Sequence, residues 1–411
     1  MKYVVLGASA AGINGIKAIR GLDKTGEITL VSEDSAVYSR CILHHYLSGE
    51  RSEEALNFAE DDFASRCGVN WKRGVKAVSV DTSAKSVALS DGAGERYDKL
   101  LIAAGASTFF PPISGMFDGA ALARGICGFR TLDDARAIKR AAQNASSVAV
   151  LGAGLIGVDA ASGLLKYGKP VTLVESLPNM LAIQLDGTAA EAYQKKFAEL
   201  GGTQHYGVKA EEITRGADGA VSGVRLSGGV HVPCDMLVCC TGVRANVKFL
   251  EGSGIPTDAK GLVFNDRGET GVQDVYGAGD VSGKSPIWPL AVKQGIVAGA
   301  NMAGGDERLD SFFASKSAMS FWGIQTLSMG IHTAPDSSYV TETQKDDGGY
   351  KKIIHKDGKI YGAIVQGDIS YAGVLTQLIA EKIDVSRVKK PLFKIDYSDF
   401  FTLKENFEFM Y

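Results

Sequence analysis

The chain has 411 residues, enough for two to three domains, and its 44 basic and 47 acidic side chains leave a formal net charge of −3. That near-balance argues against a dedicated nucleic-acid binder, and 45% hydrophobic with 22% charged residues excludes the disordered and fibrous classes. Glycine stands out: 50 of 411 residues is about 12%, against a usual ~7%, so backbone must turn sharply or approach something closely at many places.

The opening MKYVVLG holds an apolar run too short for a secretory signal, and no run approaches the ~18 residues that span a bilayer. A cytoplasmic protein without a membrane span is expected. Six cysteines, at 41, 67, 127, 234, 239 and 240, form no C-x-x-C pair and no zinc-type spacing. Neither a disulfide framework nor a metal site is expected, and a cysteine that matters would act as a thiol.

Residues 2–6 (KYVVL) predict a strand, followed by GASAAG from Gly7 to Gly12, a helix over INGIKAIRGL and a second strand, EITLVSE, ending at Glu33. YDKLLIAAGAS (97–107) predicts a strand running into Ala104 and Gly105. The opening pattern then repeats: a strand at 147–151 (SVAVL), GAGLIG from Gly152 to Gly157, a helix over VDAASGLLKYG and a strand, VTLVE, ending at Glu175. DMLVCCTGVRANVKFL (235–250) is a strand into Thr241 and Gly242. TGVQDVYGAGDVSG (270–283) is a strand ending in Gly279 and Asp280, with the helical run LAVKQGIVAGANMAG after it. From residue 310, strands around a hairpin turn at Asp357 and Gly358 lead to a helix and an aromatic-rich tail.

Strand, glycine turn, helix, strand and terminal acid is the order of a dinucleotide-binding βαβ unit. The first glycine makes the tight turn, the middle one admits a pyrophosphate, and the last packs helix on sheet. The helix then points unpaired N–H groups and a positive dipole end at the phosphates. The acid, 21 residues after Gly12 in one copy and 18 after Gly157 in the other, accepts from ribose hydroxyls. Glu175 also repels a 2′-phosphate, so NAD(H) is expected over NADP(H). Ser9 stands where the first copy should have its middle glycine, and its hydroxyl can still face a phosphate. Two such sites in one chain imply two nucleotides meeting, with flavin and nicotinamide the obvious pair.

Together, GASAAG with Glu33, LLIAAGA, GAGLIG with Glu175, CTGVRANVKFL and VYGAGDV resemble the two-dinucleotide-binding-domain flavoproteins, the pyridine nucleotide-disulfide oxidoreductase superfamily. The resemblance implies an α/β fold with two Rossmann-like dinucleotide-binding domains, for FAD and NAD, plus a C-terminal α+β domain. It implies a discontinuous FAD-binding domain at 1–112 and 243–310, an NAD(H)-binding domain at 113–242 and a C-terminal interface domain at 311–411, which serves homodimerisation in the thiol subgroup and is left monomeric in some carrier reductases. Carried over position by position, Gly7, Ser9, Ala10, Gly12, Glu33, Arg40, Gly105, Arg130, Gly279, Asp280 and Lys293 fall at FAD. Gly152, Gly154, Leu155, Ile156, Gly157, Asp159, Glu175 and Gly242 fall at NAD(H), with Asp159 where the family often has a glutamate near nicotinamide and flavin.

The segment VYSRCILHHYLSGE (37–50) decides the subgroup. A C-x4-C dithiol would need a cysteine at position 46, which is Tyr46. The YSR and YLSGE surroundings resemble the NADH:rubredoxin reductases and the nitrite reductase flavin domain. Cys41 falls where coenzyme A-disulfide reductases and NADH oxidases and peroxidases carry one reactive thiol. If Cys41 opens a helix beginning near Ile42, the helix dipole and Arg40 are expected to lower its pKa; otherwise it is a small packing residue. His44 and His45 follow at i+3 and i+4, and His44 is a candidate to protonate a leaving thiolate. The expected activity is transfer of electrons from NADH through FAD to a small acceptor, rubredoxin or a similar redox protein. The alternatives are a CoA-disulfide, persulfide, peroxide or oxygen reaction through Cys41, or a redox-sensing or electron-transfer subunit of a larger complex.

Overall fold

The structure is a computed structural model that describes residues 1–309, 316–346, 349–370, 372–400, 402–403, 405 and 409–410. The chain begins with β1 (Lys2–Leu6), α1 (Ala10–Leu22), β2 (Glu27–Ser32), the short α2 (Leu43–Leu47), β3 (Val69–Arg73) and β4 (Lys99–Ile102). It continues with β5 (Ile126–Gly128), α3 (Leu132–Asn144), β6 (Val148–Leu151), α4 (Leu155–Lys166), β7 (Val171–Glu175), α5 (Gly187–Glu199), β8 (Thr203–Tyr206) and β9 (Met236–Cys239). Then come β10 (Val275–Gly277) and α6 (Trp288–Met302). The last part holds β11 (Lys316–Phe321), β12 (Ile324–Gly330), β13 (Val340–Asp346), β14 (Gly349–Lys356), β15 (Lys359–Gly367) and α7 (Ala372–Ala380).

Two five-stranded parallel sheets follow from the two βαβ patterns. The first runs β10-β4-β1-β2-β3 and the second β5-β9-β6-β7-β8. Their central strands, YVVL in β1 and VAVL in β6, are buried on both faces, which is why they read as unbroken apolar runs instead of alternating ones. Two linker strands join the sheets, Ala106–Thr108 pairing antiparallel with Val243–Ala245. The third sheet, β11-β12-β15-β14-β13, is antiparallel throughout, and Leu375 and Leu378 of α7 pack with Leu327, Ile353 and Val365 of that sheet. Phe400 joins this core and Tyr397 is exposed. Phe401, Phe407 and Tyr411 of the aromatic tail, and Tyr371 at the head of the expected last helix, lie outside the described residues.

The antiparallel sheet docks on α5. Tyr193 donates to Thr326 Oγ1 at 2.7 Å, Gln366 donates to the Ala189 carbonyl at 2.9 Å, and Lys352 and Tyr350 both reach the Asp186 carboxylate, at 2.7 and 2.9 Å. Tyr193 and Phe197 share one core with Met319, Phe321 and Ile364. The same core takes in Leu43 and Leu47 of α2, so a segment that follows β2 in sequence is packed against α3 and α4 beside the second sheet. Among the described residues no helix is long and apolar enough to cross a membrane, and no group of three or more His, Cys, Asp or Glu side chains is placed to hold a metal ion.

Helices α1 and α6 touch backbone to backbone. A Cβ on Gly295 would overlap the Ala11 carbonyl, and one on Gly299 the Gly15 carbonyl. Helix propensity alone favours alanine by about 1 kcal/mol, but overpacking against backbone that cannot move aside costs 1–3 kcal/mol or more. Gly295→Ala is therefore expected to destabilise by about 2 kcal/mol in urea unfolding. Gly21→Ala, on the same helix pair with open space around it, should be neutral or mildly stabilising.

Candidate functional site

The two glycine loops have one geometry. Gly7 and Gly152 sit at φ +114° and +98°, and a Cβ on either would overlap a carbonyl of the neighbouring strand end, that of Ala103 or of Cys240. A Cβ on Gly12 or Gly157 would overlap the carbonyl of the first glycine of its own loop. The middle position differs. Ser9 and Gly154 are the N-caps of α1 and α4, both extended (φ −107°, ψ −165° and φ −76°, ψ −174°), and Ser9 makes no side-chain capping bond. No left-handed backbone is needed there, which is why serine replaces glycine in the first loop at no conformational cost. Around Gly154 nothing lies within 4 Å of an added Cβ. Each loop thus presents a helix N-terminus to open space, the setting in which backbone N–H groups hold a pyrophosphate.

The first loop opens into a cleft of about 680 Å³ lined by Gly7, Ser9, Ala10, Glu33, Arg40, Cys41, Gly105, Arg130, Gly279, Asp280 and Trp288, among others. Glu33 lies just past the end of β2, exposed and paired with Lys76 at 2.7 Å. A capping box between Thr131 and Asp134 starts α3, and Asp134 also accepts from the Arg130 N–H at 2.9 Å. The Arg130 guanidinium is thereby set against the Asp280 carboxylate and the Ala106 carbonyl. Gln294 accepts the Gly279 N–H at 2.8 Å, fixing the turn after β10, and Trp288 meets Phe58 edge to face with ring centroids 4.7 Å apart. Lys293, expected at FAD, is half-buried on α6 and is not part of the cleft lining.

At the second loop, Gly242 (φ +116°) ends the chain path after β9 with open space around it, and Leu155 and Ile156 form the half-buried first turn of α4. Glu175 does more than its place at a strand end suggested. Its Oε2 accepts the Ala153 N–H at 2.7 Å and its Oε1 the Leu177 N–H at 2.8 Å, so the carboxylate braces the glycine loop while keeping lone pairs for a ribose.

The expectation of a thiolate at Cys41 is corrected. Cys41 lies in a single 3-10 turn, Arg40–Ile42, ahead of the five-residue α2, so no long helix points its dipole at the sulfur. Arg40 is committed elsewhere, donating to Asp34 and to the Tyr38 hydroxyl, each at 2.7 Å. Cys41 is exposed on the cleft wall, and the protein packed around its sulfur pushes the thiol up to about 11, with Asp159 acting in the same direction and Arg130 against it. His44 and Asp159 are brought together outside the cleft lining, with Nδ1 and Oδ1 3.1 Å apart. Neither that contact nor the edge-to-face meeting of Trp288 with Phe58 is legible in the order of residues.

Two nucleotide loops on two parallel sheets, each with an acid at or just past the end of the following strand, define a reductase of the flavin- and nicotinamide-binding class. Residues 1–295 match the pyridine nucleotide-disulphide oxidoreductase family, to which the chain belongs, and residues 317–383 match the rubredoxin NAD+ reductase C-terminal domain. The protein is an FAD-dependent oxidoreductase using NAD(H). It is 32% identical over 403 residues to the NADH-dependent phenylglyoxylate dehydrogenase subunit epsilon of Aromatoleum evansii, covering 94% of this chain and 93% of that one. It is 28% identical over 384 residues to the NADH-rubredoxin oxidoreductase of Clostridium acetobutylicum, covering 92% and 94%. The chain spans about half the length of the nitrite reductases it also matches. The fold superposes on the water-forming NADH oxidase from Lactobacillus brevis with a TM-score of 0.84 at 20% identity, over 93% of this chain and 91% of that one.

A thiol at about 11 is almost wholly protonated near neutrality. Alkylation of Cys41 by iodoacetamide, followed by peptide mass spectrometry, should be slower at pH 7.5 than that of free cysteine and should accelerate through pH 9 to 11. A fast, pH-independent reaction at pH 6 to 8 would contradict the environment described.

Proposed function

We propose that the protein takes electrons from NADH into FAD and passes them to a small redox protein, rubredoxin or one like it, without a redox-active thiol. The observation that carries this reading is the doubled loop geometry: two helices start directly after glycine turns that lie against a neighbouring strand end, with extended N-caps at Ser9 and Gly154. In this reading the FAD pyrophosphate lies on Gly7, Ser9, Ala10 and Gly12, its ribose on Glu33, and its ribitol side between Gly105, Gly279, Asp280 and Arg130, with Arg40 holding the wall. NAD(H) lies on Gly152, Gly154, Leu155, Ile156 and Gly157, with Glu175 at the ribose and Gly242 beside it. The bound pair supplies hydride transfer from nicotinamide to flavin; the protein contributes orientation, replacing an improbable encounter with a unimolecular step. Domain limits near 112, 242 and 310 belong to the same reading.

Two observations favour a protein acceptor over a Cys41-mediated reaction. Residues 317–383 match the rubredoxin NAD+ reductase C-terminal domain, and the Cys41 thiol is pushed up to about 11. The near full-length similarity to a dehydrogenase epsilon subunit supports a second reading, an electron-entry subunit of a larger assembly. A homodimer through the C-terminal domain belongs to the proposal as well, and light scattering that returns a monomer mass would remove it.

Anaerobic NADH should bleach the bound flavin, and rubredoxin should reoxidise it faster than CoA disulfide, peroxide or oxygen. Cys41→Ser should keep rubredoxin turnover within about twofold; a hundredfold loss would restore the thiol route. Glu175→Ala removes a charged acceptor from the loop N–H groups, a bond of about 1.5–3 kcal/mol. It is expected to raise KM for NADH at least tenfold and narrow the preference over NADPH, and steady-state kinetics with unchanged selectivity would refute that role.

A further inference from the structure

The contact between α2 and α4 holds an unusual pair. Gly163 lets the helices close in, since its Cβ would already sit 3.0 Å from the His44 carbonyl. Across this contact Asp159 Oδ1 stands 3.1 Å from His44 Nδ1, with the two side chains 22% and 19% exposed. His44 Nδ1 is closed off from solvent and, among the described residues, has no aligned hydrogen-bond partner. We propose that His44 and Asp159 hold one shared proton at this contact, and that they bind it more tightly when electrons enter the adjoining cleft, so that the pair couples proton uptake to reduction. This rests on the reading that FAD occupies the cleft.

A carboxylate facing a neutral imidazole, mostly out of water, is left without compensation for its lost hydration. A proton between Oδ1 and Nδ1 satisfies both atoms. Burial decides where it rests: it holds the His44 imidazole down to about 4 and pushes the Asp159 carboxyl well above its usual range, so the proton stays on the carboxyl side. The two titrate as a unit.

The surrounding charges do not replace that proton. Beside His44, His45 and Lys166 both engage Glu50, and with Arg51 they oppose an imidazolium more than Glu50 supports one. On the cleft side Cys41 is a neutral thiol, and Arg130 is spent on Asp280. Behind Asp159, the Cys240 thiol is also driven up by burial, and Asp134 is tied into the α3 cap.

NADH delivers two electrons and one proton together as hydride, leaving the cleft one unit more negative. At pH values above the pair's proton affinity in the oxidised protein and below that in the reduced protein, the pair has lost its shared proton before reduction and takes it back from water after it. When two electrons pass singly to the acceptor, that proton and the one delivered with the hydride both return to solvent, a net release of one proton per NADH. An ionised Asp159 is close enough to act on the cleft wall at Cys41, so by the same distance charge in the cleft acts back on the pair.

The test compares wild type with Asp159→Asn. In FAD-loaded protein, the midpoint potential of wild type should fall with pH more steeply than that of Asp159→Asn, by one proton per two electrons, over part of the range pH 5 to 9. Thermal unfolding gives an independent readout. A carboxyl whose folded pKa is raised stabilises fully below its unfolded pKa of about 3.9 and loses that contribution as pH rises through the folded value. Asp159→Asn, which cannot ionise, should therefore have a Tm a few degrees above wild type at pH 8, with the gap closing toward pH 5. An ordinary His–Asp ion pair requires the reverse, a less stable Asp159→Asn. Equal potential slopes in the two proteins, or a less stable variant at pH 8, would overturn the proposal. If the protein bound no flavin the proposed function would fall, and the stability comparison would still decide whether the pair holds a proton.

Discussion

Everything at the nucleotide sites depends on backbone meeting backbone with no side chain between. The Ala103 carbonyl occupies the space a Cβ on Gly7 would need, and the Cys240 carbonyl does the same at Gly152. Because the strand ends lie this close, each helix must start within a few residues of its strand and must aim its free N–H groups along the sheet edge. A loop with side chains here would push the helix outward, and the dipole would point into solvent. The closeness of α1 and α6 extends the same constraint to the back of the first sheet.

That constraint also explains which parts of the molecule were legible in the sequence. Gly7, Gly12, Gly152 and Gly157 are visible because only one residue type avoids the overlap, so the two βαβ units and their order could be read directly. The Asp357 and Gly358 turn was legible for a related reason, both residues taking positive φ at the tip of the β14–β15 hairpin. Ser9 looked like a departure and is none, since its position is extended.

What stayed hidden depends on distance in space. Nothing in the order of residues says that Glu175 turns back to brace Ala153, that Arg40 is taken up by Asp34 and Tyr38, or that α2 ends after five residues. The expected thiolate failed for this reason: helix dipole and neighbouring cation are local cues, whereas the burial that governs Cys41 comes from elements far along the chain. His44 and Asp159 meet only because α2 crosses to the second sheet.

The crossing of α2 has a consequence for cooperativity. One continuous core holds Leu43 and Leu47 from the segment after the first βαβ unit, Val158 and Leu164 from the second unit, and Phe321 and Ile364 from the antiparallel sheet. Subglobal opening follows cooperative packing units, not sequence boundaries. The second sheet, the C-terminal sheet and this inserted wedge should thus exchange their amide hydrogens as one block, while the outer strands of the first sheet open separately. The inserted wedge thus ties α2 to the second sheet and to the antiparallel sheet, so that none of the three can move against the others without breaking packed side-chain contacts.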